Sequence, residues 1–147
     1  MGSLVRQVVF AEADDVQAVG RLHTGPDSGV VCDPGPVGLW RLEAMLTGRD
    51  HRSVMRSAPD PVAVFEQGQR VVLPLGDQAR DALARQSGVR GLIAASRWSR
   101  TDEVRLERLT GAATGALLRE LTSLARSAQA EQKHLYLWID VDPTVPA

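Results

Sequence analysis

The stretch that decides the fold is 89–141, VRGLIAASRWSRTDEVRLERLTGAATGALLRELTSLARSAQAEQKHLYLWIDV. Its first part, 89–98, is mostly apolar and predicts a strand, and residues 103–109 alternate between charged and apolar side chains, as an antiparallel neighbour would. Residues 111–128 place leucines and alanines along one helical stripe. Residues 135–141 are almost all apolar, which is typical of a strand buried on both faces. Together these elements predict an α/β or α+β fold.

The first part of the chain adds elements of both kinds. Residues 4–10 predict a strand, and Asp14 and Asp15 suit the start of a helix, because carboxylates accept hydrogen bonds from its unpaired N–H groups. Residues 62–75 predict a β-hairpin with a glycine-containing turn. Further elements are predicted as a short strand at 30–32 and helices at 39–46 and 76–86.

Length, composition and charge restrict the class of protein. A chain of 147 residues without an internal repeat predicts one domain over 1–147. Its 17 basic and 18 acidic side chains leave a net charge of -1, so the charge balance does not point to nucleic acid. The sequence contains neither the apolar stretch of a signal peptide nor the roughly 18 apolar residues of a membrane span. Cys32 is the only cysteine, which excludes an internal disulfide and favours a reducing compartment; a cytoplasmic location is expected.

Common catalytic and cofactor motifs are missing from the sequence. The three histidines are far apart and lack zinc-type spacing, so no built-in metal is predicted, and Cys32 is expected to be a small buried residue. The remaining candidate is the junction 109–115, LTGAATG, where a predicted strand runs into a helix. Small residues leave the N–H groups of a helix N-terminus accessible, and such groups can bind phosphate. The alternative is that these small residues let the helix pack closely on the sheet.

Residues 89–142 resemble the GNAT superfamily of acyl-CoA-dependent N-acyltransferases, with two antiparallel strands, a phosphate-cradling turn, a long helix and a strand with an acidic tip. Residues 5–23, VRQVVFAEADDVQAVGRLH, are also similar to the first strand and helix of that family. The resemblance implies a mixed, mostly antiparallel sheet flanked by helices. It also implies acetyl-CoA as cosubstrate and a small-molecule or peptide amine as acceptor.

The resemblance implies roles for particular residues. In that family the second of the two strands lies beside the pantetheine arm, and the turn after it holds the pyrophosphate. Cofactor binding is therefore expected at Leu106, Leu109, Thr110, Gly111, Ala112, Ala113, Thr114 and Gly115. Glu107 is the candidate general base that takes the proton of the amine, unless it points outward and pairs with a neighbour such as Arg105. Asp140 and Asp142 are candidates for binding a cationic amine, unless they only cap the end of a strand.

Functions of two classes remain open. One is an acyl-CoA-binding protein that transfers an acyl group to an amine, and the other is a non-catalytic α/β interaction or regulatory module. The sequence ends shortly after 135–141, so this apolar strand is expected at or near a sheet edge, where a second chain would cover it. A homodimer is therefore expected under either function. A small dimeric scaffold of the roadblock type is a third alternative, although its order of elements matches less well.

Overall fold

The computed structural model describes residues 5–65 and 69–141. Within these residues the chain forms five strands and seven helices. The strands are β1 (Val5–Glu12), β2 (Val30–Val31), β3 (Ala63–Phe65), β4 (Arg70–Pro74) and β5 (His134–Val141). The helices are α1 (Asp15–Val19), α2 (Gly35–Thr47), α3 (His51–Arg56), α4 (Asp77–Ala84), α5 (Gly88–Ser99), α6 (Asp102–Leu106) and α7 (Gly111–Ala130). The predicted mixed α/β class, an antiparallel sheet flanked by helices, is confirmed.

The strands form one antiparallel sheet in the order β2-β1-β5-β4-β3. β5 lies in the middle, paired along its whole length with β1 and on its other side with β4. The expectation that this strand lies at or near a sheet edge is wrong, because its position in the sequence does not determine its neighbours. The described edge strands are β2 and β3, which are only two and three residues long.

Two apolar clusters lie on opposite faces of the sheet. The larger contains Leu135 and Leu137 of β5 together with side chains of α2, α4, α5, α6 and α7. The smaller contains Tyr136 and Trp138 of the same strand, together with side chains of β1, β4 and α1. Successive side chains of a strand point to opposite faces. Both faces of β5 are therefore covered, which confirms the prediction that this strand is buried on both sides.

α7 is the long helix of the larger cluster. Its N-cap is Thr110, whose side-chain oxygen accepts a hydrogen bond from the Ala113 N–H at 3.0 Å. The buried apolar side chains of this helix are Leu117, Leu118, Leu121, Ala125 and Ala128. The helix predicted at 111–128 is confirmed, and its stripe faces the sheet and the neighbouring helices α4 and α5.

The strand predicted at 89–98 is wrong, because these residues belong to helix α5. The reason is that α5 carries apolar side chains on two opposite sides. Those facing inward are Ala94, Ala95 and Trp98, and those facing outward are Val89, Leu92 and Ile93. Because both sides carry small or apolar residues, positions 91–95 form one continuous apolar run, and a run this short resembles a strand as much as a helix.

The strand predicted at 103–109 is also wrong, because this segment contains the short helix α6 and the turn after it. Its alternating pattern does not reflect alternating burial. Val104 is fully buried, whereas Leu106 is 80% exposed. Glu103 forms an ion pair with Arg41 of α2, with 3.0 Å between Oε1 and Nε. The alternating pattern therefore belongs to a short helix that buries Val104 and exposes Leu106.

The remaining predicted elements are confirmed, with shifted ends. Of the strand predicted at 4–10, residues 5–10 belong to β1 and residue 4 lies outside the described residues. β2 covers 30–31 of the strand predicted at 30–32, α2 contains the helix predicted at 39–46, and α4 contains most of the helix predicted at 76–86. Asp14 is the N-cap of α1, and its carboxylate accepts a hydrogen bond from the Gln17 N–H at 2.9 Å. The predicted hairpin is formed by β3 and β4, and its turn lies outside the described residues.

Candidate functional site

The residues that the sequence assigns to a pyrophosphate lie at the start of α7. Thr110 is the N-cap, and Gly111, Ala112 and Ala113 form an exposed first turn. The predicted helix N-terminus is therefore confirmed at this junction. Thr114 is fully buried instead, and its hydroxyl donates a hydrogen bond to the Thr110 carbonyl at 2.9 Å. The first turn of α7 thus offers main-chain N–H groups to solvent, whereas Thr114 belongs to the interior.

The residues expected beside a pantetheine arm lie on α6 and the turn that follows it. Leu106 is the last residue of α6, Glu107 is its exposed C-cap, and Leu109 packs partly buried against the larger cluster. Their predicted placement on a strand is wrong. Residues 103–109 contain no strand, so the roles of these residues stay predictions.

Asp140 lies near the end of β5 and is buried. Its carboxylate accepts a hydrogen bond from Arg70 Nε at 3.4 Å, and the same guanidinium donates through Nη1 to the His23 carbonyl at 2.9 Å. By strand alternation Asp140 shares the face of Trp138, whereas α7 covers the opposite face. The sheet therefore separates Asp140 from the predicted cofactor residues. Asp142 lies outside the described residues.

Cys32 packs in the larger apolar cluster, and His134 lies against a carboxylate. Cys32 is fully buried in the larger cluster, as predicted, and burial raises the pKa of its thiol to about 12, so the thiol stays protonated at neutral pH. His134 Nδ1 lies 2.7 Å from Asp77 Oδ1. Within residues 5–65 and 69–141, no group of three or more His, Cys, Asp or Glu side chains could hold a metal ion.

Sequence reasoning missed a cleft between α5 and α7, which we call the α5–α7 cleft. Its volume is about 280 Å³. Its walls include Gly91, Leu92 and Ala95 of α5 and Gly115, Leu118 and Thr122 of α7. Glycine and alanine at these facing positions leave the space between the helices unfilled. Of the predicted cofactor residues, only Gly115 lines this cleft.

A second recess, the α2–α5 groove, lies on the other side of α5 and has a volume of about 550 Å³. Apolar and basic side chains share its walls. The apolar ones are Met45, Leu46, Val89, Ile93 and Ala94, and the basic ones are Arg85, Arg90 and Arg97. None of the three guanidiniums lies within 4 Å of a carboxylate of the described residues. The groove therefore combines apolar surface with positive charge that the described fold does not neutralise.

Between the two recesses α5 presents an outward apolar face, formed by Val89, Leu92 and Ile93. These side chains are 71%, 66% and 56% exposed. Their spacing of three and four residues places them on one side of the helix. Single exposed apolar residues are ordinary, whereas several on one helix face mark a contact surface. The same spacing is visible in the sequence, but a second apolar set at Ala94, Ala95 and Trp98 obscures it.

The fold and these recesses define a mixed α/β protein whose antiparallel sheet carries most of its helices on one face. A scan against protein-family models gives no match, and searches of curated proteins and of solved structures give none either. The similarity to GNAT N-acyltransferases therefore stays a prediction. Of the helices in the described residues, none has the length and apolarity needed to cross a membrane.

Proposed function

We propose that this chain is an interaction module that binds an acidic, amphipathic helix of a partner protein in the α2–α5 groove. The observation that carries this proposal is the combination on α5 of an exposed apolar face with flanking arginines. A helix that lays its apolar stripe into such a groove is a recurring mode of recognition. Acidic residues beside that stripe would meet the guanidiniums.

The apolar part of the groove supplies affinity. Full burial of a Val, Leu or Ile side chain is worth roughly 1.5–3 kcal/mol. Val89 and Ile93 line the groove and are more than half exposed in the described fold, so a partner that covers them gains most of this free energy. Leu92 lies beside the groove on the outward face of α5 and is also more than half exposed. Met45 and Leu46 of α2 extend the same surface across the groove.

The charged part of the groove selects the partner. Residues 85–108 contain six arginines and three acidic residues, although the whole chain has a net charge of -1. An acidic helix would be steered to this region and paired with it. A second copy of the chain that docked α5 against α5 would set arginines against arginines, so a partner of opposite charge is favoured over self-association.

Fluorescence anisotropy with a labelled synthetic helix tests this proposal. The probe carries glutamates beside a leucine stripe, and a matched control peptide carries lysines instead. We expect the acidic peptide to bind at least about tenfold more tightly than the basic one, with added salt weakening its binding. The double variant Arg90→Glu/Arg97→Glu should reverse the preference. Arg6→Glu, on the other face of the sheet above Trp138, is the control and should not.

Four results would overturn the proposal, three from binding and one from the oligomeric state. The first is equal binding of the two peptides, and the second is unchanged binding by the double variant. The third is tighter binding of anionic lipid vesicles or duplex DNA than of the acidic peptide. Light scattering on the same samples gives the oligomeric state. A dimer that Leu92→Asp dissociates would favour the homodimer expected from the sequence and would contradict a partner of opposite charge.

Acyl-CoA binding is the second candidate function, and the exposed first turn of α7 supports it. The unpaired N–H groups after Thr110 suit a pyrophosphate, and a side chain added at Gly111 would meet open space. Transfer to an amine, with Glu107 as base, is part of this candidate. Isothermal titration with acetyl-CoA and with free CoA tests it. We expect micromolar binding that Gly111→Asp abolishes; no binding at millimolar ligand would exclude it. A cytoplasmic location is part of the proposal under either candidate, because the only cysteine, Cys32, is a free thiol.

A further inference from the structure

A third recess, which we call the α2–α4 cleft, lies where α2, the end of α3 and the start of α4 meet. Its volume is about 460 Å³, within the range of about 300–1,000 Å³ that is usual for small-molecule sites. Charged and apolar side chains share its walls. The charged ones are Glu43, Arg49 and Asp77, and the apolar ones include Trp40, Pro59 and Leu75. The α2–α4 cleft shares no lining residue with the α2–α5 groove, so a ligand here is independent of the proposed partner helix.

Glu43 of α2 is a largely covered carboxylate in this cleft. Only 12% of its side chain is exposed, but no donor of the described residues makes a hydrogen bond to its carboxylate. Arg49 Nη1 lies 3.6 Å from Glu43 Oε2, which is an ion pair but too long for a hydrogen bond. Burial raises the pKa of Glu43 above its ordinary value of 4.5, and the charge of Arg49 offsets part of this effect. A ligand that donates a hydrogen bond to Glu43 therefore supplies a contact that the described fold does not.

Arg49 is held in the same cleft by neutral side chains. Its Nη1 donates to Gln78 Oε1 at 3.0 Å, and its Nη2 donates to the Ser57 hydroxyl at 3.1 Å. A guanidinium carries five N–H donors, so donors remain for an anionic group of a ligand. Asp77, which is 49% exposed, adds a second carboxylate to the walls. The cleft therefore presents opposite charges side by side, with the carboxylates in excess.

Trp40 supplies an aromatic wall. The other two tryptophans are buried, and their indole N–H groups donate to main-chain carbonyls: Trp98 at 3.0 Å and Trp138 at 3.1 Å. Trp40 is partly exposed, and its indole N–H donates to no acceptor within residues 5–65 and 69–141. Pro59 and Leu75 add apolar surface beside it. An apolar or aromatic group of a ligand can pack against these three side chains.

We infer that the α2–α4 cleft binds a free α-amino acid with an apolar side chain. Its ammonium donates to Glu43 and Asp77, its carboxylate accepts from Arg49, and its side chain packs against Trp40. An α-amino acid carries its two charged groups on one carbon, which matches the adjacent opposite charges of Glu43 and Arg49. A simple amine lacks a group for Arg49 and repels its charge, and a simple carboxylate is repelled by Glu43 and Asp77.

Isothermal titration of the unaltered chain with L-phenylalanine is the direct test. Phenethylamine lacks the carboxylate and 3-phenylpropionate lacks the ammonium, and each keeps the ring and the two-carbon chain. We expect L-phenylalanine to bind at least about tenfold more tightly than either control, because each control loses one charged hydrogen-bonding group. No binding of L-phenylalanine at millimolar concentration, or equal affinity for all three compounds, would overturn the inference.

Two variants assign the two charged contacts. Glu43→Gln should abolish the preference for L-phenylalanine over 3-phenylpropionate, and Arg49→Gln should abolish the preference over phenethylamine. Glu131→Gln is the matched control, because it also removes a carboxylate from a long ion pair, 3.9 Å from Lys133, but at an exposed position outside the cleft. It should keep both preferences. Both preferences unchanged in Glu43→Gln and Arg49→Gln would overturn the inference.

Urea denaturation separates a binding role of Glu43 from a structural one. Because folding raises the pKa of this carboxyl, its charge does not stabilise the fold at neutral pH, and Glu43→Gln should keep or raise the urea midpoint. A lower midpoint with unchanged binding would show that the ion pair with Arg49 serves the fold, and the inference would be wrong. The ligand series uses the unaltered chain, so it decides the question even if a variant is unstable.

Discussion

Helices α5 and α7 pack against each other but use their apolar side chains differently. α7 spans 20 residues and buries one continuous stripe against strands β1, β2 and β5. α5 spans 12 residues, inserts Trp98 into the core and leaves Val89, Leu92 and Ile93 exposed. Apolar residues of α7 therefore stabilise the fold, whereas half of those of α5 are free to contact another molecule. Substitutions in the two helices can distinguish these roles, because some should affect the stability of the fold and others only the exposed surface of α5.

The largest difference is expected between two leucine truncations. Leu121→Ala on α7 removes a fully buried side chain, and we expect it to lower the free energy of unfolding by about 2–5 kcal/mol. Leu92→Ala on α5 removes an exposed side chain and should change it by about 0.5 kcal/mol or less. Urea denaturation of both variants measures the difference. Equal losses would mean that α5 buries its outward face within the monomer.

The next largest effect on stability is expected at Trp98, the buried residue that holds α5 against α2. Trp98 is fully buried, and its indole N–H donates to the Gly38 carbonyl at 3.0 Å. Trp98→Phe removes this hydrogen bond and should cost about 1–3 kcal/mol of unfolding free energy. The near-ultraviolet circular dichroism should report looser packing of α5 on α2 in the same variant. A variant as stable as the wild type would show that this contact does not hold α5 in place.

The helix caps give a smaller, matched comparison. Thr110 caps α7 through its side-chain oxygen, so Thr110→Ala should lower the free energy of unfolding by about 1 kcal/mol. Ser87 occupies the corresponding position of α5 but makes no side-chain cap. Ser87→Ala should therefore change the unfolding free energy by less than half as much. Chemical denaturation of the two variants side by side checks this order, and a larger loss for Ser87→Ala would reverse it.

The smallest effect is a pH-dependent change in stability from Asp81, a residue of α4 that contacts α7. Hydrogen bonds from Gln129 and then Arg80 lower the pKa of Asp81 below its ordinary value of 3.8. A carboxyl whose pKa is lowered by folding stabilises the folded state above pH 3.8, and this contribution is lost as the pH falls through the lowered pKa. Because the side chain is 41% exposed, the effect at neutral pH should be about 0.5 kcal/mol or less.

Asp81→Asn removes this contribution. Stability curves of the wild type and the variant should differ slightly at pH 7 and converge as the solution is acidified below pH 3.8. A difference that grows on acidification would have the opposite sign and would show that folding raises the pKa of Asp81 instead.

The same comparison explains which parts of the fold could be predicted. The apolar stripe of α7 is one-sided, so the sequence shows its helical period. β5 is mostly apolar because α7 and its neighbouring helices cover one of its faces and α1 covers part of the other. α5 could not be recognised as a helix, because residues 91–95 form a continuous run of small and apolar side chains, and a run this short fits a strand as well as a helix.

The candidate sites were less predictable than the fold. The helix N-terminus at Thr110 follows from a local pattern of small residues, and it was found. The α5–α7 cleft is lined both by Gln86, which follows α4, and by Thr122 in the middle of α7, and no local sequence pattern links two such positions. The central place of β5 likewise depends on pairing with β1 and β4, which are distant in sequence.

We propose that the outward face of α5 binds a partner, whereas α7 stabilises the core. Chemical-shift mapping of the ¹⁵N-labelled chain with the acidic amphipathic peptide tests it most directly. We predict that the largest shifts fall on the α2–α5 groove, at Val89, Arg90, Ile93 and Arg97, and that residues of the buried α7 stripe such as Leu121 and Ala125 move little. Shifts centred on the other face of the sheet, or none at saturating peptide, would contradict the claim.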